Sequence, residues 1–164
     1  MGKNPEGQFL EAYERYNDAI FRHCYFRLYQ NRERTLDIMQ ETFTKTWAYI
    51  ARGNEIENLR AFLYRTASNL IIDESRKKRP LSLDALREEG FDPPEDAHHT
   101  ERGAERAELH ATLAKLDEDY RDVLIMRYVD DLSVKEIAAA LGTSENVVSV
   151  RIHRGIKKIR ELLS

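Results

Sequence analysis

The sequence predicts an all-α protein made of two small helical domains, and three observations lead to this prediction. Apolar residues recur at helical spacing over most of the chain. Only 7 Gly and 4 Pro occur among 164 residues, which favours helices over a turn-rich β fold. A stretch rich in Pro, Gly and acidic residues separates two helical regions. We therefore expect a first domain at residues 1–79, a flexible acidic linker at residues 80–108 and a second domain at residues 109–164.

The charge distribution allows a nucleic-acid partner despite a net charge of −3. Residues 1–79 hold 14 Lys and Arg against 11 Asp and Glu, whereas residues 80–112 hold 3 Arg against 9 acidic residues. Residues 113–164 are balanced, with 9 of each sign. The acidic middle therefore masks a mildly basic first part of the chain, and the overall charge does not exclude a DNA-binding protein.

Composition argues against several other classes of protein. No apolar run reaches the ~20 residues of a membrane span, and the N-terminus lacks the apolar stretch of a secretory signal. A single cysteine, Cys24, favours the cytoplasm and a place in the core, with a thiol switch as the alternative. Neither His23-Cys24 nor His98-His99 has the spacing of metal ligands. We expect no metal, no cofactor, no small-molecule substrate and no enzymatic activity.

Residues 8–29, 35–50 and 59–79 are predicted to form three helices, and Pro80 ends the third. In the second helix one face is apolar and is expected to lie in the core: Leu36, Met39, Phe43, Trp47 and Ile50. A polar row lies about a third of a turn away: Asp37, Gln40, Glu41 and Thr44. Periodicity alone leaves open whether this row is only solvated or binds a basic partner.

The third helix has an unusual outer face. Its core side is predicted to be Leu63, Tyr64, Ala67, Leu70 and Ile71, while the opposite side presents Phe62, Arg65, Asn69, Ile72, Asp73 and Arg76. The basic run at residues 76–79, which includes Lys77, follows directly. Aromatic and basic side chains on one face suit single-stranded nucleic acid, because bases stack and phosphates are neutralised. The alternative is that Phe62 and Ile72 contact the first helix.

Residues 133–159 contain the most specific local signal, a helix-turn-helix. Ser133 and Glu136 form an S-x-x-E capping box at the start of a short helix. Gly142 can take the left-handed conformation that ends this helix, and Ser144 can cap the next one. A capped short helix, a Gly-containing turn and a second helix are typical of a DNA-binding motif.

The second helix of this motif has one apolar and one polar side. The apolar stripe is Val148, Ile152, Ile156, Ile159 and Leu163. The outer side carries Asn146, Ser149, Val150, His153, Arg154 and Lys157, which can bond base edges and phosphates in a major groove. A helix at residues 116–128 is expected to complete a small bundle.

Taken together, these motifs resemble those of bacterial RNA polymerase sigma factors of the extracytoplasmic-function (ECF) type. Residues 37–43, DIMQETF, resemble the D-L-x-Q-E-x-F pattern of the sigma-2 domain, and residues 60–69, RAFLYRTASN, resemble its R-x-W-L-Y-x-I-A-x-N stretch. Residues 116–154 resemble the sigma-4 domain. The resemblance covers nearly the whole chain and implies a transcription initiation factor with a sigma-2-like bundle and a sigma-4-like helix-turn-helix.

The resemblance also implies roles for individual residues. Core RNA polymerase would dock on Asp37, Gln40 and Glu41. The minus-10 element would be held, as an opened non-template strand, by Asn54, Phe62, Arg65, Asn69, Arg76 and Lys77. The minus-35 duplex would be read by Ser149, Val150, His153, Arg154 and Lys157.

Family resemblance further implies a separate anti-sigma factor as a partner. Two questions stay open at this point. The domains could be clamped together or independent of each other. The main alternative function is an ordinary helix-turn-helix regulator with an N-terminal sensing domain, which leaves the polar row and the third helix unexplained.

Overall fold

The structure, a computed structural model, describes residues 4–77 and 101–164. Within these ranges the chain forms seven α-helices and no strand, which confirms the all-α prediction. Residues 80–100 of the expected flexible linker, with His98 and His99, lie outside the described residues, whereas residues 101–108 are helical. The helices are α1 (Pro5–Arg27), α2 (Arg32–Ala51), α3 (Leu59–Lys77), α4 (Glu101–Ala114), α5 (Glu118–Leu124), α6 (Val134–Leu141) and α7 (Glu145–Leu163).

Asparagine side chains start the first three helices. The Oδ1 atoms of Asn4, Asn31 and Asn58 accept hydrogen bonds from backbone N–H groups in the first turns of α1, α2 and α3, at 3.2, 3.1 and 3.0 Å. The first helix ends at Arg27, two residues earlier than predicted. Tyr29 and Gln30 have positive φ angles, so the backbone cannot continue the helix there.

The predicted core face of α2 is partly wrong. Leu36 and Trp47 are 45% and 36% exposed, although both were expected in the core. The buried face includes instead three threonines together with Ile38, Phe43 and Ile50. The hydroxyls of Thr35, Thr42 and Thr46 donate to backbone carbonyls one turn earlier, at 2.7 to 2.8 Å. These bonds satisfy the hydroxyl groups and allow their burial.

The helix-turn-helix forms with the predicted caps. Ser133 and Glu136 make both bonds of the capping box, and Gly142 ends α6 at φ 67°. Ser144 accepts a bond from the N–H of Val147 at the start of α7. Upstream, α5 continues as one π-helical turn over Ile125–Val129, where a single α-helix was predicted. These elements place α7 as the outer helix of the second half.

The apolar stripe of α7 is shorter than predicted. Leu163 is 61% exposed, whereas Val148 is fully buried. Gly155 is buried as well, and a Cβ there would lie 3.0 Å from Leu124 Cδ1 on α5. The missing side chain therefore lets α5 and α7 approach closely.

The first half (residues 4–77) and the second half (residues 101–164) pack against each other. The principal contacts join α3 to α6 and α1 to the π-helical turn. Buried apolar side chains from both halves form one core cluster; Ile20, Leu63, Ile125 and Ile137 belong to it. The structure therefore shows the clamped arrangement of the two halves.

Candidate nucleic-acid interface

The outer face of α7 is free to contact a partner. Ser149, Val150, His153, Arg154 and Lys157 are all exposed, as the sequence predicted for a reading face. Val150 is 38% exposed and is the apolar member of the set. The five side chains can offer hydroxyl, imidazole, guanidinium, ammonium and methyl groups to a major groove.

A second surface is a groove of about 500 Å³ between α2 and α3. Its aromatic wall is formed by Tyr49 and Phe62, whose ring centroids are 4.9 Å apart and whose planes are tilted by 39°. Phe62 thus packs on α2. Lys45 and Arg52 line the α2 side, and Asn69 lines the α3 side. The groove combines π faces, cations and an amide, as single-stranded nucleic acid requires.

The structure brings together only part of the predicted minus-10 set. Phe62 and Asn69 line the groove, while Arg65 and Arg76 are exposed on the same helix. Asn54 is exposed in the α2–α3 connection, where its amide donates to the carbonyl of Tyr49 at 3.1 Å. Lys77 ends α3, and its side chain lies outside the described part of the chain.

The sequence analysis did not single out Lys45 and Tyr49 on the α2 side of this groove. They are four residues apart, so they share one face of α2. This spacing is a signal that the sequence does contain. Arg52, the C-cap of α2, belongs to the loop at residues 52–58, which the resemblance places against the minus-10 strand.

The predicted polymerase-binding residues lie beside an apolar groove. Asp37, Gln40 and Glu41 are exposed on α2. Gln40 also lines a groove of about 860 Å³ between α1 and α2. The large apolar residues of this groove are Phe9, Leu10, Tyr13, Leu36, Met39, Phe43 and Trp47. An apolar surface with a polar rim is typical of a protein-binding site.

The second half carries another apolar groove, of about 390 Å³, between α4, α5 with its π-helical turn, and α7. Leu109 and Tyr128 are its most exposed members, at 45% and 64%. Each half therefore presents an apolar groove in addition to a polar face that can bind nucleic acid.

Buried ionisable side chains lie where the two halves meet, and the sequence analysis did not predict them. His23 Nδ1 lies 2.6 Å from Asp130 Oδ2, and both side chains are fully buried. Arg27 donates to Asp122 Oδ2 at 2.9 Å and to the Ser68 hydroxyl at 2.7 Å. We call His23, Arg27, Asp122 and Asp130 the interdomain cluster.

Arg121 and Tyr64 border this cluster. Burial lowers the pKa of Arg121, and its guanidinium lies 4.3 Å from the ring centroid of Tyr29. The ring of Tyr64 lies 5.2 Å from that of His23, and burial raises the pKa of its hydroxyl. A signal for the cluster exists in α1, since His23 and Arg27 share the face of Ile20 and Cys24.

Cys24 is fully buried, which confirms the prediction of a core residue. Burial raises the pKa of its thiol to about 12, so the thiol stays protonated and unreactive at neutral pH. Among the residues that the structure describes, no group of His, Cys, Asp and Glu is arranged to hold a metal ion. No helix in the same residues is long and apolar enough to cross a membrane.

Comparisons with known families agree with these features. Residues 12–80 match the family described as "Sigma-70 region 2", and residues 106–159 match "Sigma-70, region 4". The fold and the matches define a helical transcription factor that acts with RNA polymerase. The chain belongs to the sigma-70 family of RNA polymerase sigma factors, and within it to the ECF type. Sigma factors initiate transcription and are not enzymes, so the non-enzymatic prediction is confirmed.

Individual relatives support the same assignment. The chain is 32% identical to "ECF RNA polymerase sigma factor SigW" of Bacillus subtilis, over 98% of this chain and 91% of that protein. Among solved structures, CnrH in complex with the cytosolic domain of CnrY has a TM-score of 0.70 at 26% identity, over 96% of this chain and 88% of that chain. RpoE in complex with the anti-sigma factor NepR, from Bartonella quintana, has a TM-score of 0.63 at 19% identity, over 92% and 94% of the two chains. This last similarity shows the fold alone.

Proposed function

We propose that this sigma factor directs core RNA polymerase to promoters with minus-35 and minus-10 elements and assists strand opening. The observation that carries this proposal is the pairing of two different surfaces on one chain. The α7 face is a regular polar helix face on a helix-turn-helix, whereas the α2–α3 groove has an aromatic wall. The first suits a duplex and the second suits unpaired bases.

The minus-35 element is read by the exposed side chains of α7. Arg154 and Lys157 contact phosphates or guanine edges, and His153 and Ser149 bond base edges. Val150 offers its methyl groups to a thymine methyl. Ser144 caps α7 and leaves the remaining N-terminal N–H groups available to a phosphate oxygen.

The minus-10 element is held as a single strand in the α2–α3 groove. Phe62 and Tyr49 provide stacking surfaces, while Lys45 and Arg52 neutralise phosphates. The loop at residues 52–58, including Asn54, accepts a flipped base, and Asn69, Arg65, Arg76 and Lys77 hold the strand along α3. Extruding a base from the duplex costs a few kcal/mol of stacking and pairing free energy. Stacking and hydrogen bonds to the base edge in the groove offset this cost.

Core polymerase docks on the polar row of α2, through Asp37, Gln40 and Glu41. These side chains and the adjacent apolar groove form one accessible surface of the first half. We extend to this chain an anti-sigma partner, as in the RpoE–NepR complex, and a cytoplasmic location. The two apolar grooves are the surfaces on which such a partner would compete with polymerase.

In vitro transcription tests the proposal. Purified core polymerase is supplied with or without this protein, on a library of promoter fragments. Specific new transcripts that share two spaced elements are the expected result. If the folded protein binds duplex DNA but yields no transcript, the ordinary helix-turn-helix regulator replaces the sigma factor activity proposed here.

A further inference from the structure

The two grooves that share α2 differ in their charge. The α2–α3 groove carries two cations, Lys45 and Arg52. Among the described residues that line the α1–α2 groove, Glu6 is the only charged one. We propose that the α1–α2 groove binds a free amphiphilic cation, with an alkyl chain and a quaternary or protonated amine. It is a ligand and not a substrate, since sigma factors are not enzymes.

The α1–α2 groove has the size and lining of a small-molecule site. Its volume of about 860 Å³ falls within the roughly 300–1,000 Å³ of typical ligand pockets. Leu10, Tyr13 and Trp47 are 54%, 42% and 36% exposed, so they present apolar surface to water. An alkyl chain in the groove removes this surface from water, which favours binding.

Four aromatic rings form a continuous cluster in the groove. The ring centroids of Phe9 and Trp47 are 5.5 Å apart, with their planes at 69°. Those of Tyr13 and Phe43 are 5.1 Å apart, with their planes at 68°. In each edge-to-face pair, the ring that contributes its edge keeps both of its faces available. These faces are negative and attract a cation, and the indole ring does so most strongly.

The groove has a charged end and an apolar end. Phe9 contacts Trp47. One turn further along α1, Tyr13 contacts Phe43, which lies one turn earlier on α2. The two helices are therefore antiparallel, and Glu6, about one turn before Phe9, lies toward the Trp47 end. The opposite end is lined by apolar side chains of α2, Leu36 and Met39. A ligand with a cation at one end and an alkyl chain at the other matches this order.

The same features argue against two other occupants. An anion would meet the Glu6 carboxylate and the negative ring faces, with no Lys or Arg among the described lining residues. A second copy of this chain would bring a second groove of the same charge. The exposed carboxylates of Asp37 and Glu41 on the same helix would then repel those of the other copy.

A bound amphiphile competes with core polymerase. Gln40 lines the groove and also belongs to the polar row assigned to polymerase. The two partners therefore need the same part of α2. This consequence rests on the polymerase docking proposed above, whereas the binding of the cation does not. The groove thus gives the free sigma factor a chemical input that lowers its capture by polymerase.

Fluorescence of Trp47 tests the binding. Trp47 is the single tryptophan of the chain and lines the groove, so its emission reports this site. The probe is octyltrimethylammonium below its micelle concentration, and octyl glucoside is the neutral comparison with the same alkyl chain. The cation should change the emission saturably and bind about tenfold more tightly than octyl glucoside, because only the cation is attracted by the ring faces. Equal affinities, or no saturable change in emission, would overturn the proposal.

Two variants separate the ring from the charge. Tyr13→Leu keeps an apolar side chain but removes a ring, so it should weaken binding of octyltrimethylammonium about fivefold and leave that of octyl glucoside unchanged. Glu6→Gln should weaken binding of the cation only about twofold, because an exposed charge contributes little. Both residues are exposed, and helical circular dichroism checks that the variants fold.

Tyr128→Leu is the matched control, since it removes an exposed ring from the groove of the second half. It should leave the Trp47 titration unchanged. If Tyr13→Leu binds the cation as tightly as the parent does, the aromatic cluster is not the cation site and the proposal is wrong.

A pull-down with immobilised core polymerase tests the competition. At about ten times its dissociation constant, octyltrimethylammonium should weaken capture about tenfold by mass action, whereas octyl glucoside at the same concentration should have a much smaller effect. Unchanged capture at saturation of Trp47 would contradict the competition. The fluorescence titration contains neither DNA nor polymerase, so its failure leaves the promoter proposal standing. Absence of transcripts would sink the promoter proposal without changing the titration.

Discussion

The two surfaces assigned to promoter DNA differ in how they are built. The α7 face comes from one helix, and its five predicted residues are all exposed. The α2–α3 groove needs two helices, and its aromatic wall is half-buried, with Tyr49 37% exposed. A duplex presents its base edges to a single helix, whereas an unpaired base must also be covered on its π face. The difference predicts that substitutions in one surface leave the function of the other intact.

The largest effect is expected from removing the aromatic wall. Tyr49→Ala combined with Phe62→Ala should weaken binding to a single-stranded minus-10 oligonucleotide about 100-fold, because each stacked base contributes about 1–3 kcal/mol. Fluorescence anisotropy with the isolated protein measures this affinity. As a control, Tyr128→Ala removes an exposed tyrosine of the second half and should leave the affinity for this oligonucleotide unchanged. Equal losses in both variants would show that the wall does not stack on bases.

The corresponding test of the surface assigned to the minus-35 duplex is a substitution on α7. Arg154→Ala should weaken binding to a minus-35 duplex by about 1–3 kcal/mol, or roughly 5- to 150-fold, with no change in polymerase binding. A footprint over a series of protein concentrations reports this affinity. Lys158→Ala is the control on the same helix, since the Lys158 ammonium lies 5.4 Å from the ring centroid of Tyr120. Unchanged promoter affinity of Arg154→Ala would remove it from the reading set.

A smaller effect is expected at the polymerase-binding surface. Replacing Asp37 and Glu41 by Ala should reduce capture by core polymerase several-fold, because exposed ion pairs contribute about 0.2–1 kcal/mol each. A pull-down with immobilised polymerase measures the capture, and both DNA affinities should stay the same. Glu14→Ala with Asp18→Ala removes two exposed acids from α1 and serves as the control. Equal capture of all three proteins would refute the docking surface.

Oxidation is expected to have no effect on either DNA surface. Because burial raises the pKa of Cys24 to about 12, peroxide at neutral pH should leave both DNA affinities unchanged. The same raised pKa means that Cys24 stabilises the native fold below pH 9 and that this contribution is lost as the pH rises toward 12. Urea unfolding across that range should show the decline. Peroxide-sensitive DNA binding would restore the thiol switch as an explanation.

The parts of the fold that depend on local chemistry could be predicted from the sequence. Ser133, Glu136, Gly142 and Ser144 fix the ends of α6 and α7 through bonds to nearby backbone atoms. Such signals involve residues only a few positions apart. The exposed face of α7 followed from these boundaries and helical periodicity.

The parts that depend on packing between helices could not be predicted in the same way. Trp47 was expected in the core, but it lines the open groove between α1 and α2. Thr42 was not expected in the core, because its burial depends on a hydrogen bond from its hydroxyl to the backbone of its own helix. The pair His23–Asp130 joins positions 107 residues apart, so no local pattern links them.

The central claim is that separate surfaces read separate promoter elements, and one footprint tests it most directly. Polymerase with Asn69→Ala or Arg154→Ala is placed on one promoter, and permanganate reactivity of unpaired thymines is measured together with protection of the minus-35 region. With Asn69→Ala, the promoter thymines should lose their permanganate reactivity while the minus-35 region stays protected. With Arg154→Ala, protection of the minus-35 region should be the signal that is lost. Equal losses of both signals in both variants would contradict the account.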